Sequence, residues 1–203
     1  MNITRKETIT LSAAAIVASL AVIVAASASR RVDAPPRPAP LKMTRAQQIA
    51  RGQYLVTIGG CNDCHTPWIM QPNGKPGPDM SRSLSGHPQQ FPIAEPNQFK
   101  SDRWGYAGAA TNTAFSGPWG VSFAANLTPD VETGTGIWTF DIFKNTIRNG
   151  RHWGVARPLL PPMPWFNYRE MTDDDLAAVF AYTRTLTPIR NQVQQPLPPA
   201  AQK

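Results

Sequence analysis

The sequence predicts a mainly α domain that carries a long loop-rich insertion and follows an N-terminal apolar helix. Three observations lead there. Helix-start signatures recur at Thr44, Thr139 and Thr172, each ahead of apolar residues at helical spacing. The stretch 66–125 is instead punctuated by proline and glycine. Proline, 21 of 203 residues, stands at about twice its usual share. Each proline fixes φ and lacks a backbone donor, so a long helical bundle and a continuous sheet are both excluded. Two cysteines exclude a disulfide-rich scaffold and any four-cysteine metal site.

Residues 1–28 read as an N-terminal membrane anchor or signal peptide. Arg5 and Lys6 precede an apolar run, 11–24, interrupted only by Ser12 and Ser19, and Ala26-Ser27-Ala28 has the small-x-small form of a cleavage site. As a helix, residues 11–28 would be about 27 Å long, close to the ~30 Å hydrocarbon core. A retained anchor and a cleaved leader therefore both stand, with a slight lean to the anchor. Residues 29–43 form a semi-rigid proline-rich linker that suits a domain held away from a membrane.

The folded domain is expected over 44–191. Thr44 and Gln47 have the spacing of a capping box, and Ile49, Gly52 and Val56 follow at helical spacing up to Gly59-Gly60. Thr139 is the expected cap of a helix over 140–149, ended by Gly150. Thr172 caps a last helix over 173–186, with Met171 and Leu176 as a hydrophobic staple and Pro188 as the stop. The three acids Asp173, Asp174 and Asp175 suit the positive end of that helix. Residues 192–203, polar and proline-rich, read as a disordered tail. So long a loop as 66–125 is tolerable if it packs on a large apolar object that is not polypeptide. Trp68, Met70, Phe91, Phe99, Trp104, Tyr106, Phe115 and Trp119 are the residues expected to do so.

The chemistry is carried by Cys61-x-x-Cys64-His65. Two thiols three positions apart can each add to one vinyl group of a haem, while the adjacent histidine reaches the iron from the same segment. Rival readings fail on counting. Zinc wants four ligands, and only His87 and His152 are spare histidines. A thioredoxin-like pair wants a βαβ context, which is missing around this motif. One motif implies one covalently attached haem c, and the export leader agrees with attachment outside the cytoplasm.

For the opposite axial position the candidates are Met70, Met80, Met163, Met171, His87 and His152. Met163 is favoured because Pro161, Pro162 and Pro164 hold its backbone extended, so presenting the thioether costs little ordering entropy. Met171 already has its staple role, and Met70 follows His65 too closely to pass round a porphyrin edge. His152 is the serious competitor.

Residues 43–193 resemble a class I mono-haem c-type cytochrome. Within that class they are similar to the cytochrome c subunits and domains of bacterial membrane-bound dehydrogenases of alcohols, sugars and aldehydes. The resemblance runs through Arg51, Gly52, Tyr54 and Leu55, the Cys61–His65 motif, the segment 126–130, Thr133 to Thr139, Ile147 to Gly150, Pro162-Met163-Pro164, Met171 to Leu176, and Ala181-Tyr182. It implies His65 and Met163 as iron ligands and a first helix crossing the last, with Gly52 close to Tyr182. It also implies Trp138 or Asn126 near a haem propionate. The 102 positions from Cys61 to Met163 are more than such carriers usually have.

The expected function is single-electron transfer outside the cytoplasm by a carrier or electron-transfer subunit, not an enzyme. Its partners would be redox proteins: a dehydrogenase, a quinol-oxidising complex or a terminal oxidase. The location would be the periplasmic side of the inner membrane, or soluble periplasm if the leader is cleaved. The alternative is a peroxidase-like haem enzyme or ligand sensor with an open distal site. Nucleic acid is not expected as a partner. Of the net charge of +7, residues 1–43 and Lys203 hold +5, whereas 44–191 carry 13 basic against 11 acidic residues and no basic stripe.

Overall fold

The first helix, α1 (Arg45–Ile58), starts as its capping box requires: Gln47 N donates to Thr44 Oγ1 (3.2 Å) and Thr44 N donates to Gln47 Oε1 (2.9 Å). The molecule is known from a computed structural model that describes residues 43–96 and 103–199. The expected N-terminal apolar helix, the linker before Met43, Phe99 and residues 200–203 lie outside the described residues. Among the described residues no helix is long and apolar enough to cross a membrane.

Helix α1 buries Gly52, Leu55 and Val56 and packs across the last helix, Asp173–Thr183. The approach is close because Gly52 has no side chain: a Cβ there would lie 1.9 Å from Ala178 O and 2.8 Å from Tyr182 Cβ. Arg51 closes the rim of this crossing with a 2.9 Å ion pair to Asp175. The short helix α2 (Cys61–His65) follows after Gly60, whose left-handed backbone (φ 64°) turns the chain. Thr139 Oγ1 caps α3 (Phe140–Asn149), and Gly150 in the left-handed region ends it. A single turn, α4 (Trp165–Tyr168), leads to the last helix, α5 (Asp173–Thr183), capped by Thr172.

Helix α5 ends three residues before the expected Leu186. Beyond Thr183 the bonds tighten to i→i−3 (Thr185 N to Tyr182 O, 2.8 Å), and Pro188 offers no donor to continue. Arg184 instead donates to the carbonyls of Thr135 (2.7 Å) and Gly136 (2.8 Å), fixing the loop before α3. The acids of its first turn do more than face a dipole: Asp173 also pairs with Arg148 at 2.7 Å and Lys144 at 3.4 Å.

The insertion is not structureless. Strand β1 (Trp68–Met70) pairs antiparallel with β2 (Pro76–Pro78), and β3 (Ala107–Gly108), β4 (Ala114–Gly117) and β5 (Gly120–Phe123) form an antiparallel sheet in that order. Ala114, Val121 and Phe123 are its buried centre, with Ile93, Ala109, Val193 and Leu197 packed on them. A second apolar cluster joins Phe143 and Ile147 of α3 to Leu176 of α5.

Within the expected tail, 192–203, the described residues make specific contacts. Leu197 and Val121 exchange backbone bonds of 3.0 Å each way, and Gln194 bonds both backbone groups of Ile93. Proline is tolerated there because an edge segment need not donate at every residue. Val193 and Leu197 supply the apolar anchors that composition hides.

Candidate cofactor site

Helix α2 presents Cys61 and Cys64 as half-buried free thiols on the wall of a cavity of about 330 Å³. Burial pushes the Cys61 thiol up to about 11 and raises that of Cys64 as well. Redox-active cysteine pairs have depressed values, so these neutral thiols speak against a thioredoxin-like role.

His65 completes the segment. Its Nδ1 lies 2.8 Å from Ala125 O and so carries the proton, which leaves Nε2 available to the cavity. Burial lowers its pKa, so the ring is neutral and able to coordinate. The backbone beneath it is fixed: Gly86 N donates to His65 O (2.7 Å), and Thr66 Oγ1 bridges Leu84 N and Asn62 Oδ1.

The rest of the lining is strongly apolar. Leu55 and Val56 come from α1, Phe143 and Ile147 from α3, Leu176 from α5, and Leu84 and Phe123 from the insertion. Of the seven described insertion residues expected to pack on such an object, only Phe115 lines it. Met70, Phe91, Trp104 and Tyr106 are exposed, and Phe99 is outside the described residues.

The structure narrows the six candidates for the second ligand to three. Met70 and Met80 are exposed and do not reach the cavity. His87 is buried elsewhere, with Nδ1 on Thr113 Oγ1 (2.9 Å) and Nε2 on Phe91 O (2.8 Å). Met163, Met171 and His152 all line the cavity. Met171 packs with Leu176, as the staple requires. His152 lies edge-on to Trp138 at 5.6 Å, and burial followed by the charge of Arg157 lowers its pKa. Cys61, Cys64, His65 and Met163 thus line one cavity, together with Met171 and His152.

Trp138 lines that cavity too, but Asn126 does not. The Asn126 amide is spent on Thr128, Thr133 and the Ile189 carbonyl, where it ties the 126–136 loop to the chain beyond α5. Arg157, which the sequence did not single out, is the one permanent cation on the cavity wall among the described residues. A lone arginine in a loop carries no spacing signal that marks it in advance.

Two thiols and a neutral imidazole on one segment, a thioether on another, apolar walls and a single cation fit an iron porphyrin with acidic side arms. No protein-family profile matches the chain. It is 30% identical over 151 residues to the fructose dehydrogenase cytochrome subunit of Gluconobacter japonicus, covering 74% of this chain and 24% of that one. The gluconate 2-dehydrogenase cytochrome c subunit of Pantoea cypripedii is 28% identical over 137 residues, 66% of this chain and 22% of that one. A nicotinate dehydrogenase component of Pseudomonas putida is 28% identical over 175 residues, 86% of this chain and 12% of that one. The chain thus spans about a quarter or less of the length of these relatives. By sequence the chain is similar to a part of the cytochrome c subunits of bacterial dehydrogenases.

Proposed function

We propose that the chain holds one haem c through thioether bonds from Cys61 and Cys64, with His65 and Met163 as axial ligands, and works as an electron-transfer subunit that transforms no substrate itself. The observation that carries this is the placement of the His65 imidazole and the Met163 thioether on the walls of one apolar cavity. When bound, the haem supplies a one-electron couple between ferrous and ferric iron.

The chain's own residues set the conditions. The Ala125 carbonyl orients the His65 ring and strengthens it as a donor through the bond to Nδ1. The thioether of Met163 favours the ferrous state and raises the potential. Leu55, Val56, Phe143 and Leu176 exclude water, which works in the same direction. Arg157 and Trp138 are among the polar groups of the wall, and both can donate to the carboxylates of the porphyrin.

The relatives are cytochrome subunits of fructose, gluconate and alcohol dehydrogenases, and this supports a dehydrogenase or another quinol-side donor as partner. A terminal oxidase or an equivalent respiratory acceptor would take the electron. The leader-like residues 1–28 support a position on the periplasmic side, at the membrane if they are retained.

His152 on the same cavity supports a second reading, a peroxidase-like enzyme or ligand sensor. Optical spectroscopy separates the two. The proposal predicts a low-spin ferric form with a sulfur-to-iron charge-transfer band that Met163→Ala abolishes. Retention of the band in that variant excludes Met163, and rapid cyanide binding by the unaltered protein favours the second reading.

A further inference from the structure

We propose that Tyr168 is a positioning residue for Met163: its hydroxyl ties the segment bearing the methionine to the turn bearing Cys61, and so fixes the two walls of the cavity against each other. The inference rests on the ligand assignment above.

Met163 stands between Pro162 and Pro164, and the segment runs directly into α4. Pro164 O accepts from Asn167 N (2.9 Å) and Tyr168 N (3.4 Å), so a single helical turn links the methionine to the tyrosine. Tyr168 Oη donates to Gly59 O, 109 residues away in sequence. Gly59 ends α1 two residues before Cys61, and the tyrosine ring packs beside it: a Cβ there would lie in ordinary contact, 3.5 Å from Tyr168 Cε1.

The bond spans the site, since Gly59, Cys61, Met163 and Tyr168 all line the cavity. Burial pushes the phenol up to about 12, so it stays a neutral donor in any ordinary buffer. On the other side of Met163, Ser122 Oγ donates to Pro161 O at 2.5 Å and anchors the segment to β5. Met163 is therefore slung between two anchors, and of these only Tyr168 reaches the cysteine side.

This arrangement makes detachment of the thioether a local event, the opening of one strap, that does not require unfolding of the helices. Tyr168→Phe keeps the ring and removes only the hydroxyl. Its effect is read on the haem-loaded ferric protein, from the rate of cyanide binding and from the sulfur-to-iron band well below the unfolding temperature. Val193→Ala, which trims a side chain that packs on the sheet cluster without itself lining the cavity, is the control for general loss of stability.

The expected result is cyanide binding about fivefold faster in Tyr168→Phe, the factor carried by one net hydrogen bond, with a weakened band. Val193→Ala is expected to lower the melting temperature and leave the rate unchanged. An unchanged rate in Tyr168→Phe, or an equal acceleration in Val193→Ala, overturns the inference while leaving the ligand assignment intact. Absence of the band from the unaltered protein removes the assignment and the inference together.

Discussion

His65 and His87 are both kept neutral by burial, yet they serve different purposes. His65 has one nitrogen on a carbonyl and one available to the cavity, whereas both His87 nitrogens are occupied, and the ring leans on Phe123 at 5.0 Å. The spacing after Cys64 singles out His65; nothing local separates His87 from a ligand, because what disqualifies it is Thr113, 26 residues away. Arg157 was illegible for the same reason, whereas Met163, which lines the cavity, was singled out by its flanking prolines and by the family resemblance. His87 also sets a pH dependence. Its folded pKa lies below the ordinary value of about 6.5, so the unfolded chain takes up the proton first, and this site's stabilisation is complete above that value and declines as pH falls. Haem-loaded protein, in which His65 is bound to iron, is therefore expected to lose denaturant resistance between about pH 7 and pH 5. His87→Gln is expected to cost about 1 kcal/mol at neutral pH and to flatten that slope.

The helix starts were readable because a cap is a local bond between a hydroxyl and a backbone donor three residues on. Thr44, Thr139 and Thr172 all make it. The end of α5 was not, since Arg184 is drawn to carbonyls 48 and 49 residues away. The strands of the insertion run only two to four residues, too short for alternation to show, and β2 reads Pro-Gly-Pro. Its aromatic residues were assigned to the cavity because hydrophobicity indicates burial without saying against what. The crossing of α1 over α5 rests on one position. Gly52→Ala drives a methyl group into the Ala178 carbonyl and is expected to cost about 3 kcal/mol, read as a drop in the denaturant midpoint with an unchanged slope.

The helix cluster gives the cavity much of its wall through Phe143, Ile147 and Leu176, whereas the sheet cluster reaches it through Phe123 alone. Asn191 helps to unite the segments around it, donating to the carbonyls of Ser85 and His87 and accepting from Gln89 N. A proline-rich chain with loops of this length would condense around a rigid filler more readily than around itself, and under the proposed function a porphyrin stitched to Cys61 and Cys64 would be that filler. Intact-mass measurement of the protein from an organism able to attach haem tests this most directly. The expected mass is that of the chain, with or without its leader, plus one haem, retained after denaturation and acid–acetone extraction, with neither cysteine reacting with a thiol reagent. A chain of unmodified mass with two titratable thiols would contradict it.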